Sequence, residues 1–113
     1  MKALKRFEYR VRDLLRSLGL DAERVPLSGS SSAMKGDVVS ERYLVECKYT
    51  GGNEYITVRH SWLIELEELA RKQGKFPVLM FTFGNSREIY AVPLRRWLSL
   101  LKNREGRNDE REK

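Results

Sequence analysis

Soft metal ligands are almost missing from this chain: its 113 residues contain one cysteine, Cys47, and one histidine, His60. A single cysteine excludes an internal disulfide and fits a reducing cytoplasm. Two soft ligands also fall short of the four that a structural zinc site takes. Long hydrophobic runs are missing too, so no segment reads as a membrane span or as a signal peptide. Proline occurs three times, and Ser28-Gly29-Ser30-Ser31-Ser32 is the one low-complexity stretch. It lacks the Gly-Lys-Ser/Thr ending of a phosphate-binding loop, which argues against nucleotide hydrolysis. Internal repeats are absent.

What the chain does have is charge on a globular background, with 34% charged and 41% hydrophobic residues. The length suits one packed domain, read as residues 1–102, followed by a charged tail over 103–113. The net charge is +6. Asn103 to Lys113 holds four basic and four acidic groups, so the excess belongs to the body of the domain. A surface of that sign, with a pI near 9.7, favours a polyanionic partner such as nucleic acid, or serves solubility alone.

The hydrophobic pattern predicts an α/β fold with a mixed sheet flanked by helices. An amphipathic helix over 2–18 carries Ala3, Leu4, Phe7, Val11, Leu14, Leu15 and Leu18 at helical spacing, and Gly19 ends it. Strands are expected at 22–25, 37–39, 43–49, 77–83 and 88–92. A second amphipathic helix is expected over 58–73, stopped by Gly74. Pro93 is read as opening a short helix over 94–102.

One set of charges stands out: Glu8, then Gly36-Asp37, then Glu46-Cys47-Lys48. In a strand, Glu46 and Lys48 share one face while Val45, Cys47 and Tyr49 share the other. A hairpin whose loop centres on Glu41-Arg42 sets Asp37 directly opposite Glu46, with Cβ atoms roughly 4.5–5.5 Å apart. Two carboxylates that close repel, and a divalent cation between them answers the repulsion; oxygen ligands suit Mg²⁺ or Mn²⁺. Glu8 borders the buried stripe of the first helix and can reach the sheet edge. This is the layout of a metal-dependent nuclease site. The blander alternatives are a cross-strand ion pair between Glu46 and Lys48, and a one-turn pair between Glu8 and Arg12.

These residues carry a resemblance. The chain resembles the PD-(D/E)XK nuclease superfamily and, within it, archaeal-type Holliday junction resolvases and their phage-borne relatives. The matching residues are Arg6-Phe7-Glu8, Arg24-Val25-Pro26-Leu27-Ser28, Gly36-Asp37, Glu46-Cys47-Lys48 and Phe76-Pro77-Val78-Leu79, spread over residues 4 to 93. Gly36 stands where the superfamily carries proline. The resemblance implies a restriction-endonuclease-like sheet, with Asp37, Glu46 and the backbone carbonyl of Cys47 as Mg²⁺ ligands. It implies Lys48 as the catalytic lysine, Glu8 as the first-helix glutamate that completes the metal shell, and supporting roles for Arg24 and Ser28. Phosphate contacts are expected from Lys2, Lys5, Arg6, Arg10, Arg24, Ser30 and Lys35.

The function implied is paired hydrolysis of four-way DNA junctions by a homodimer in the cytoplasm, with apolar residues between Ile89 and Leu101 as its interface. The alternatives are a repair or restriction-like nuclease of the same fold, or a non-catalytic basic nucleic-acid-binding module. Cys47 is expected in the core rather than as a nucleophile, and Trp62 in the core or a subunit contact.

Overall fold

The computed structural model describes residues 3–25, 37–52, 54–84 and 86–94. Its elements run α1 (Ala3–Ser17), β1 (Glu23–Arg24), β2 (Val38–Val39), β3 (Tyr43–Thr50), α2 (His60–Gln73), β4 (Phe76–Phe83) and β5 (Tyr90–Pro93). The five strands form one sheet in chain order. β3 and β4 are parallel, and every other neighbouring pair is antiparallel. The sheet is therefore mixed, as the pattern predicts. A parallel pair cannot be closed by a tight turn, and α2 makes the crossover from β3 to β4.

Alternation along β3 divides the core. Val45 and Cys47 pack with Val38, Met80 and the α1 residues Phe7, Val11 and Leu15. Leu44 packs with Leu66 and Ala70 of α2 and with Leu94. The two helices thus cover opposite faces, and Glu46 and Lys48 fall on the α2 side by the period of two.

Both helices end at the glycines that the sequence marks as stops. Gly19 has φ 87°, and the Leu20 N–H donates to the Leu15 carbonyl at 3.0 Å. Gly74 has φ 68°, and its N–H caps the carbonyls of Ala70 and Arg71. Only glycine takes this left-handed conformation without steric cost.

Several boundaries differ from the sequence reading. Leu4, Leu14 and Leu18 are exposed, so α1 buries a narrower stripe, Phe7, Val11 and Leu15, together with Glu8. α2 begins at His60 rather than residue 58, and β5 begins at Tyr90. Pro93 pairs with Val78 as the last residue of β5, an edge strand, where a missing N–H donor is tolerated. Of the helix expected over 94–102, only Leu94 lies within the described residues. The tail over 103–113 lies outside them.

Candidate functional site

The β2–β3 hairpin has the register expected from sequence, with Val38 opposite Val45 and Val39 opposite Leu44. Carried one step further, that register sets Asp37 against Glu46. The Asp37 N–H, however, donates to the Val45 carbonyl at 2.8 Å, so its backbone leans one residue toward the hairpin end. The side chain compensates: Asp37 Oδ2 accepts the Cys47 N–H at 2.8 Å. One hydrogen bond therefore ties the aspartate to the Glu46–Cys47 peptide.

Glu46 is 4% exposed. Its Oε1 lies 3.2 Å from Lys48 Nζ, while its Oε2 is buried with no hydrogen-bond donor. The Asp37 carboxylate is near enough for its charge to act on Glu46, and two carboxylates bond only through a shared proton. Burial pushes Glu46 up to about 8, helped by the Asp37 charge and opposed by Lys48. Asp37 is pushed up to about 6, also chiefly by burial, with the Cys47 N–H opposing and the Glu8 charge adding. The pair resists double ionisation and behaves as one unit holding a proton near neutrality.

An orphaned buried carboxylate oxygen beside a second carboxylate fits a hard divalent cation. Mg²⁺ needs only one or two protein carboxylates, with water and phosphate oxygens filling the remaining positions. Among the described residues, no three Asp, Glu, His or Cys side chains cluster as a closed metal cage. The donor set fits an open site completed by substrate.

Glu8, expected to complete the metal shell, has an arginine partner. It is buried on α1, and its Oε1 accepts from Arg24 Nε at 2.7 Å. Arg24 also lies over the Tyr9 ring at 5.3 Å. The pairing with Arg12 is not made; Arg12 bonds Asp13 at 2.8 Å and lies over the Tyr9 ring at 4.8 Å. Glu8 belongs to the α1 side of the sheet and acts on Asp37 through its charge.

The expected phosphate contacts divide. Lys5 and Arg6 are exposed on α1. Arg10 donates to the Arg87 carbonyl at 2.7 Å and the Ser86 carbonyl at 3.5 Å, tying α1 to the segment before β5. Arg24 is committed to Glu8. Lys2, Ser28, Ser30, Lys35 and Gly36 lie outside the described residues. Of the residues expected at a dimer interface, Tyr90 and Val92 are exposed, whereas Ile89 packs on the α1-side core and Leu94 is buried against α2.

Cys47 is buried in the α1-side core, and burial pushes its thiol well up, so it stays protonated and unreactive. Sequence reasoning missed the partner of Lys48. Trp62, in the first turn of α2, brings its indole face to 3.9 Å from Lys48 Nζ. A signal for it existed. A crossover helix between parallel strands starts near the C-terminal end of the first strand, which is where Lys48 sits.

A family model described as "Phage putative PDDEXK endonuclease" matches residues 5–109. No curated protein matches the chain. Among solved structures, Hjc of Archaeoglobus fulgidus, a Holliday junction resolvase from an archaeal hyperthermophile, is similar, with TM-score 0.64 and 20% identity. The match covers 78% of this chain and 73% of that one. It bears out the restriction-endonuclease-like α/β fold. With the family model spanning nearly the whole chain, the protein belongs to the phage PDDEXK endonuclease family.

Proposed function

We propose that this chain is a Mg²⁺-dependent endodeoxyribonuclease, with Mn²⁺ able to substitute, that resolves four-way DNA junctions by paired phosphodiester hydrolysis. The observation that carries the reading is the buried Asp37–Glu46 pair, with one Glu46 oxygen lacking a donor and Lys48 beside it. A module that only binds DNA has no use for clustered acids facing a polyanion.

Asp37, Glu46 and the Cys47 carbonyl would hold the ion. The ion they would hold would supply polarisation of the scissile phosphate and a lowered pKa for an attacking water. Lys48 keeps a compact positive charge on the same face as Glu46, where it stabilises charge developing on the phosphate or the attacking hydroxide. The Cys47 N–H orients Asp37, and Glu8 with Arg24 sets the electrostatic background of that carboxylate. In-line attack by water would form a new P–O bond and break the bond to the 3′ oxygen, leaving a 5′-phosphate and a 3′-hydroxyl that takes up the proton released by the water.

Junction selectivity is supported by fold likeness to a resolvase, and DNA binding by the excess positive charge of +6. Two symmetric cuts call for two sites related by a two-fold axis, so the active form is proposed to be a homodimer in the cytoplasm. The family match supports endonuclease chemistry without naming a substrate, which keeps a second reading, a general DNA nuclease, within the test. Purified protein is incubated with a labelled four-way junction and with matching linear duplex, in Mg²⁺ or EDTA, alongside Glu46→Ala. Paired nicks in the junction alone, abolished by EDTA and by the substitution, are expected. Equal cutting of duplex supports the general nuclease, and binding without cutting under every metal tried overturns catalysis.

A further inference from the structure

We infer that Trp62 is a positioning residue for Lys48: its indole face holds the lysine ammonium in place beside Glu46. The inference rests on the nuclease reading above. The ammonium has two contacts from two different elements. Glu46 Oε1 on β3 lies at 3.2 Å, and the Trp62 ring on α2 lies with its centroid at 3.9 Å.

A lysine carries a flexible four-carbon stem and loses considerable rotamer entropy when its end is fixed. The Glu46 contact alone is a weak tether for a catalytic charge, since a carboxylate that also ligates a cation shares its oxygens with that cation. The ring contact does not depend on the Glu46 oxygens. Attraction between an ammonium and an indole face comes from the ring quadrupole, and tryptophan is the strongest of the aromatic partners. The ring is itself held: Trp62 packs against the cluster of Leu44, Leu66, Ala70 and Leu94, and its backbone N–H donates to the Arg59 carbonyl at 3.0 Å, which fixes the start of the helix that carries it. The Lys48 side chain remains 24% exposed, and an ammonium has three N–H donors, more than the one that the Glu46 contact uses.

The test compares Trp62→Leu and Trp62→Phe with wild type and with Lys48→Met, on the full chain. In the metal-free protein, the ε-methylene signals of Lys48 are expected upfield, as a ring held over them requires. They should move to ordinary lysine positions in Trp62→Leu and only part of the way in Trp62→Phe. Cleavage with Mg²⁺ should show kcat lowered roughly tenfold in Trp62→Leu and less in Trp62→Phe, with KM for DNA little changed. In a Lys48→Met background, Trp62→Leu should lower residual kcat no further.

Wild-type kcat in Trp62→Leu, or an equal further loss in the Lys48→Met background, overturns the inference while leaving the nuclease reading intact. An unshifted Lys48 signal in wild type also overturns it. A wild-type protein that cuts no DNA with any divalent metal sinks the nuclease reading, and the positioning role falls with it. If Trp62→Leu does not fold, Trp62→Phe alone decides: its kcat must fall and its Lys48 signals must move together.

Discussion

Glu46 and Asp37 place two carboxylates in a space that favours one charge. Both are raised in the folded protein, to about 8 and about 6, from ordinary values of 4.5 and 3.8. Between about pH 4 and pH 8 the folded state therefore binds more protons than the unfolded one, and stability falls as pH rises through that window. Thermal unfolding in EDTA should show a melting temperature lower at pH 8.5 than at pH 5 by roughly 5 °C or more. Glu46→Gln should flatten this dependence and melt higher than wild type at pH 8.5, while losing cleavage. A steeper slope in that variant would place the strain elsewhere. At pH 8, Mg²⁺ should raise the melting temperature of wild type, by mass action on the folded state, and leave Glu46→Gln unmoved. Calorimetric titration with Mg²⁺ checks the same point without unfolding.

At the level of elements, polar ties and glycine caps decide how the helices meet the sheet. The Glu8–Arg24 bond joins α1 to β1 between side chains 4% and 16% exposed. Arg24→Met leaves a buried carboxylate without its cation and is expected to cost about 3 kcal/mol in urea unfolding, with Glu8→Gln in the same chain recovering a large part. Losses that simply add would mean that the two do not act as a pair. At the end of α2, Gly74 stands at positive φ with open space where a Cβ would lie. Gly74→Ala therefore meets no neighbour, and its expected cost of about 1 kcal/mol is backbone strain alone; Gly74→Asn should cost less.

The whole molecule presents a net charge of +6, so its hold on DNA should be strongly salt-dependent. Junction affinity measured between 50 and 200 mM salt is expected to fall linearly on logarithmic axes, with a slope set by the number of phosphates neutralised. A flat dependence would remove the electrostatic basis of binding. Sedimentation of free protein and of protein on a four-way junction should give two copies per junction. Among the described residues, no helix is long and apolar enough to cross a membrane.

Much of this was legible in the sequence because it is local. Period-two alternation placed Glu46 and Lys48 on one strand face, the Glu41-Arg42 loop set the hairpin register, and Gly19 and Gly74 marked helix ends through the conformations they alone adopt freely. The resemblance carried by Glu8, Gly36-Asp37 and Glu46-Cys47-Lys48 reached the family. Tertiary structure decided what depends on which surfaces meet. It sent Glu8 to Arg24 rather than Arg12, drew Arg10 onto the Ser86 and Arg87 carbonyls, kept Pro93 in an edge strand and left Leu4, Leu14 and Leu18 exposed. It also brought Trp62 over Lys48. Those two residues lie on different elements, and only the parallel pairing of β3 with β4, with α2 crossing between them, sets their separation. Neither residue's neighbours along the chain carry that information.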